Sequence, residues 1–112
     1  MVKKIIIPER GDIVWIDFSP IKGHEQSGLR PAVIVSSSKY NVLSGIVLAC
    51  PVTSKQKSYF FEVAIQGLNK KSFVLADQVR AFDYSKRIKK VAGKVSELEI
   101  REILAKISLM FQ

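Results

Sequence analysis

Residues 23 to 31 read Gly-His-Glu-Gln-Ser-Gly-Leu-Arg-Pro and run directly into the apolar stretch Ala32-Val33-Ile34-Val35. A carboxylate (Glu25), an imidazole (His24), an amide (Gln26) and a guanidinium (Arg30) thus share one loop, and its glycines permit sharp turns. Polar loops carried on rigid strands are frequent seats of function. Taken alone, the segment is equally compatible with a solvated hairpin connection in which Glu25 and Arg30 make a weak surface pair. A second segment supplies matching chemistry. The buried-strand pattern Ile46 to Val52 stops at the hydroxyls of Thr53 and Ser54 and becomes Lys55-Gln56-Lys57. Hydroxyl donors followed by lysines suit a phosphate.

With these residues in view, the order GDIVWIDFSPIKGHEQSGLRPAVIVS, CPVTS, LADQVR resembles the MazF/Kid (PemK) family of toxin-antitoxin endoribonucleases over nearly the whole chain. The G-H-E-Q-x-G-x-R-P stretch carries most of the specificity, P-V-T-S supports it, and A-D-Q-V-R alone would be weak. The resemblance implies an SH3-like barrel, a homodimer and a sequence-specific endoribonuclease of single-stranded RNA that inhibits translation. It also implies an antitoxin whose disordered acidic segment folds across the basic toxin, which charge complementarity makes physically reasonable.

RNA brings its own nucleophile, the 2′-hydroxyl. A ribonuclease therefore needs a base for that proton, charge stabilisation on the phosphoryl group and a proton for the leaving 5′-oxygen. His24 is the only histidine, so a two-histidine solution within one chain is excluded. Glu25, Asp77, Asp83 and Asp17 show no metal-ligand spacing, so no metal or other cofactor is expected and activity should survive chelation. Arg30 offers a permanently charged fork matched to two phosphate oxygens, and the resemblance implies that it is essential. Thr53 matches the family threonine and can donate to a non-bridging oxygen, with Ser54 beside it; a capping hydroxyl at a strand end is the plainer alternative. Glu25 is the natural base on pKa grounds.

Arg30, Thr53 and Glu25 are accordingly the expected catalytic residues. The expected RNA contacts are His24, Gln26, Ser54, Lys55, Lys57, Asp77, Gln78 and Arg80. Kid-like members place an arginine two positions before the aspartate, where this chain has Leu75, so the MazF-like version fits better. Among the aromatics, Trp15 is expected in the core, whereas Tyr59 and Phe61 are more open candidates for stacking on bases. Two alternatives remain: a non-catalytic toxin resembling the CcdB gyrase poisons, since fold alone does not imply activity, and a basic RNA-binding barrel without chemistry.

The elements that must position these groups fit one domain spanning 1–112. Hydrophobic residues make up 47% of the 112, which excludes a disordered chain. No apolar run approaches the roughly 20 residues that span a bilayer, and a cytoplasmic location is expected. The lone Cys50 lies in an apolar strand and reads as a small core residue. A net charge of +8 and a pI of about 9.8 predict attraction to polyanions. The basic run Lys86 to Lys94 is either a solvated strand edge or a phosphate-tracking surface.

A strand opening at Gly11-Asp12 is apolar on both faces and ends at Ser19-Pro20. Further strands are expected at Ala32 to Ser36, Gly45 to Val52, Tyr59 to Ile65, Ser72 to Val79 and Val91 to Val95. Ser38 to Leu43 suggests a helical turn. Ser96-Glu97-Leu98-Glu99 fits a capping box, after which Ile100, Ile103, Leu104, Ile107 and Phe111 recur on one helical face. The core reading is also favoured for Leu109-Met110-Phe111. These elements predict a mostly β protein with a C-terminal helix, folded as a small, bent antiparallel barrel.

Overall fold

The computed structural model describes residues 7–18 and 28–112. His24, Glu25 and Gln26 lie outside the described residues. The architecture is mostly antiparallel β with a C-terminal helix, as the sequence pattern predicts.

The chain runs β1 (Asp12–Asp17), β2 (Leu29–Ile34), α1 (Ser38–Ser44), β3 (Ile46–Thr53), β4 (Glu62–Ile65), β5 (Ser72–Leu75), β6 (Arg80–Asp83), α2 (Tyr84–Arg87), β7 (Ile88–Lys94) and α3 (Glu97–Leu109). The strands pair in the order β4-β5-β3-β2-β1-β7, with β6 also on β3. β3 is the hub. β2 pairs along Ala49–Pro51 on one edge, while β6 and then β5 pair along Ile46–Ala49 and Val52–Thr53 on the other.

Several expectations need correction. The strand expected from Tyr59 begins at Glu62, whose N–H donates to Tyr59 O at 3.1 Å and closes a turn before it. The run Ser72 to Val79 is not one strand: Gln78 N–H donates to Leu75 O at 3.1 Å, closing a turn at Ala76-Asp77, and β6 is a separate strand beyond it. The expected strand near Val91 begins already at Ile88 and carries two register shifts against β1, which bend it. The barrel is not closed by strand pairing, because β4 and β7 end the hydrogen-bonded path among the described residues.

Helix α3 covers the β4 side instead. Lys106 Nζ donates to Glu62 O at 3.3 Å and Glu99 accepts from Gln66 N–H at 3.1 Å. The predicted capping box is present in full at Ser96 and Glu99, satisfying amide donors that the first helical turn leaves without partners.

Two apolar layers account for β1 being hydrophobic on both faces. Ile13, Val33, Cys50 and Val52 pack on one side of the sheet with Ile103 of α3. Val14, Ile16, Ala32, Ile34 and Val47 pack on the other with Phe82. Ile100, Leu104 and Ile107 join the first layer as expected. Phe111 does not: it is 81% exposed, with Leu109 and Met110 also exposed, because α3 ends at Leu109 and the helical periodicity no longer directs the side chains beyond it.

The β4–β5 connection is fixed by a close approach between backbones. A Cβ on Gly67 would lie 2.8 Å from Lys94 O and 2.6 Å from Ile13 Cδ1. The side chain could yield, but the carbonyl belongs to β7 and cannot move without disturbing its pairing with β1. Gly67→Ala should therefore lower unfolding stability by about 1–3 kcal/mol, read as a lower urea midpoint at unchanged slope.

Cys50 is fully buried, as predicted. Burial, with the Asp77 charge adding to it, pushes its thiol up to about 12. The unfolded thiol ionises near pH 8.5, so from about that pH towards 12 the unfolded chain loses its proton first and stability falls as pH rises. Cys50→Ala should flatten this alkaline slope in urea titrations, and the folded wild-type thiol should resist alkylation at pH 9 until denaturant is added.

Candidate active site

The β2–β3 ladder brings the two principal predicted residues together. Its pairs are Ile34 with Ala49, Val33 with Cys50 and Ala32 with Pro51. Arg30 lies two residues before Ala32 on β2 and Thr53 two residues after Pro51 on β3, so both sit at the same end of this ladder. Arg30 therefore belongs to strand β2 and not to the preceding loop, with Ile16 of β1 as its partner on the other edge. A strand residue is held more firmly than a loop residue, which favours its use for positioning a phosphate.

Arg30, Thr53 and Ser54 line a cleft of about 710 Å³, within the usual range for ligand pockets. The β1 register continues the floor: Trp15 pairs with Pro31 on one side and Lys90 on the other, and all three line the cleft with Val52. The β4–β5 loop forms a wall through Gly67, Leu68, Asn69 and Lys70. Among the described lining residues Arg30, Lys70 and Lys90 are cationic and none is acidic, an arrangement that attracts an anion.

Thr53 illustrates how a strand-end hydroxyl can serve two purposes. Its Oγ1 accepts from Lys55 N–H at 3.1 Å, which is the capping role considered for it. The hydroxyl proton is not used in that bond and is available to a phosphate oxygen. Arg30 is exposed and makes no ion pair with another described residue.

Several predicted contacts lie elsewhere. Lys55, Lys57, Asp77, Gln78 and Arg80 do not line the cleft. The Glu62 carboxylate accepts from Lys57 N–H and from Ser58 N–H, which organises the loop after β3. Asp77 is taken up by the Tyr59 hydroxyl; desolvation and that bond push the phenol up to about 12. The Arg80 guanidinium sits 5.2 Å from the ring centres of both Phe18 and Phe82, a cation–π arrangement on the opposite apolar layer.

The core expectation for Trp15 needs correction. Trp15 belongs to neither core layer and lines the cleft. Phe61 packs against the core, and Tyr59 is engaged with Asp77. Sequence reasoning also missed Asn69 and Lys70. The available signal was a polar Gly-Leu-Asn-Lys-Lys-Ser turn, which only the Gly67 approach to β7 converts into a cleft wall. Of the basic run, Lys90 reaches the cleft, whereas Lys94 pairs with Glu9 and Asp12, both at 3.3 Å.

Residues 9–111 match the family described as the PemK-like, MazF-like toxin of type II toxin-antitoxin systems. The Escherichia coli K12 endoribonuclease toxin MazF is 40% identical over 104 residues, covering 93% of this chain and 94% of its own. Among solved structures, MazF from Deinococcus radiodurans superposes with a TM-score of 0.80 at 36% identity, over 96% of this chain and all of that one. A MazE-MazF complex from the same organism gives 0.79 at 32% identity, over 95% of this chain and 97% of the neighbour. Sequence and fold agree along almost the full length, and the chain belongs to the PemK-like, MazF-like toxin family of type II toxin-antitoxin systems.

Proposed function

We propose that this protein is a metal-independent endoribonuclease toxin that cleaves single-stranded RNA by attack of the 2′-hydroxyl on the adjacent phosphate. The observation that supports the reading is that Arg30, Thr53 and Ser54 line one cleft whose described charged residues are all cationic. The chemistry agrees with endoribonuclease relatives such as MazF, ChpB and PemK of E. coli.

In this mechanism the 2′-oxygen forms a bond to phosphorus as the bond to the 5′-oxygen breaks. The products are a 2′,3′-cyclic phosphate and a 5′-hydroxyl, the leaving 5′-oxygen taking its proton from water. The transition state concentrates charge on the non-bridging oxygens. Arg30 meets it with a bidentate cation and Thr53 with a hydroxyl donor, while Ser54 assists from the next position. Glu25 serves as the base for the 2′-hydroxyl proton, because a carboxylate is a more natural proton acceptor than a guanidinium, which stays charged. His24 and Gln26 contact RNA from the same segment. The nucleophile comes with the substrate, so activation of water by a metal is unnecessary.

Single strands fit better than duplex, because an A-form helix hides the base edges and stacking faces that sequence reading requires. The protein acts in the cytoplasm as a homodimer, and the exposed Leu109, Met110 and Phe111 offer apolar surface for association. A cognate antitoxin neutralises it, in keeping with the MazE-MazF complex of its relative. The net charge of +8 suits an acidic antitoxin segment.

Purified protein incubated with a long single-stranded RNA in excess chelator should give discrete cuts with 5′-hydroxyl ends. Arg30→Ala should abolish them while retaining the wild-type circular dichroism melt. Intact RNA in both samples would replace the nuclease reading with a binding-only or gyrase-directed toxin. The Thr53 hydroxyl is tested by an isosteric pair: Thr53→Ser should keep most single-turnover activity, whereas Thr53→Val should lower it about 10²-fold, the scale of losing one transition-state donor.

A further inference from the structure

The cleft extends well past the phosphate-binding pair. Its floor is a single row across three strands, Lys90, Trp15 and Pro31, and Gly67 locks the β4–β5 loop against β7 at its side. Two of these features are unexplained by folding. Trp15 is left out of both apolar layers, although Ile13, two residues earlier on the same face of β1, is fully buried. Asn69 is exposed in the wall and its amide hydrogen-bonds no other described residue.

Together they have the composition of a nucleotide subsite. An indole is a broad π-face on which any base can stack. Lysines at its sides neutralise the flanking phosphates. A carboxamide presents a donor and an acceptor in one plane, which can read a base edge that a single strand leaves open.

We propose that Trp15 holds a nucleobase of the RNA next to the scissile phosphate, that Lys90 and Lys70 bind the phosphate beyond it, and that Asn69 in the β4–β5 loop is the specificity-determining residue for that base. This rests on the ribonuclease reading above and adds to it where the substrate strand runs and which residue selects its sequence. Leu68 packs against the core, so the reader projects from an anchored loop; its geometry is set before RNA arrives, and preorganisation of this kind favours discrimination.

Trp15 is the only tryptophan of the chain, which makes its emission a reporter of this subsite. The probe is a fluorescein-labelled oligodeoxynucleotide copy of a mapped cleavage site, which lacks the 2′-hydroxyl and cannot be cut. Its anisotropy reports binding, and the unlabelled oligonucleotide is used to follow Trp15 emission. Emission should change and saturate at the concentrations at which anisotropy saturates. Binding by anisotropy with unchanged emission would overturn the subsite while leaving the nuclease intact.

Two sets of variants then separate holding from reading. Trp15→Phe should keep KM near wild type and Trp15→Leu should raise it about tenfold or more, with a smaller effect on kcat. Asn69→Ala should still cut RNA in an Arg30-dependent way, but its preference at one position beside the cut should fall about tenfold in relative kcat/KM. An unchanged cut-site spectrum in Asn69→Ala would remove it as the reader. Failure of the wild-type protein to cut any RNA would overturn the nuclease reading and this proposal with it.

Discussion

Three cross-strand pairs between β2 and β3, Ala32 with Pro51, Val33 with Cys50 and Ile34 with Ala49, hold in register the two strands whose ends carry Arg30 and Thr53. A slip of one residue would reverse the faces of β2. It would send Val33 out of one apolar layer and Ala32 and Ile34 out of the other, and it would move Arg30 away from Thr53. The same hydrophobic pattern therefore sets both the stability of the sheet and the geometry of the site. The residues that specify it, fully buried Ala32, Val33, Ile34, Ala49 and Cys50, have no chemical part in the cleft.

The sheet separates its tasks by position along the strands. β1, β2 and β3 bury both faces over the stretches Ile13–Val14, Ala32–Ile34 and Ala49–Cys50, which hold only apolar side chains. Chemistry is confined to the strand ends and to the row through Trp15, where the covering layer gives way to the cleft. Gly67 is what keeps that cleft defined: with no Cβ, it brings the β4–β5 loop onto β7, and that contact places the wall residues. Helix α3 supports this arrangement from behind by packing Ile103 into the layer that holds Ile13.

Charge is distributed with the same economy. Carboxylates outside the cleft are occupied: Glu62 by the amides of the loop after β3, Asp77 by Tyr59, and Glu9 and Asp12 by Lys94. The described lining keeps Arg30, Lys70 and Lys90 without an acid among them. A positive net charge spread evenly would attract any polyanion weakly. Gathered in a concave site beside low-dielectric walls, it focuses on one phosphate chain.

Most of the fold was legible from local patterns. Apolar runs bounded by turn or polar residues located β1 and β3, and the Ser96 capping box with its helical repeat located α3, because these signals arise from neighbours in sequence. Arg30 and Thr53 were also legible, through residue chemistry and family resemblance. The expectations that failed had non-local causes. Whether the run Ser72 to Val79 is one strand depended on its pairing with β3, and Phe111 lost its helical guide once α3 ended at Leu109. Arg80 reads in the sequence as one more cation, and only the fold sets its guanidinium 5.2 Å from the ring centres of both Phe18 and Phe82. Trp15 looked like core because alternation reports that a residue faces inward but not whether anything covers it. The sequence by itself determined most of the strands, the C-terminal helix and which residues are candidates for the chemistry. Register, the Gly67 contact and the place of Trp15 in the cleft lining were decided only by the tertiary structure, because each is a relation between segments that no local pattern encodes.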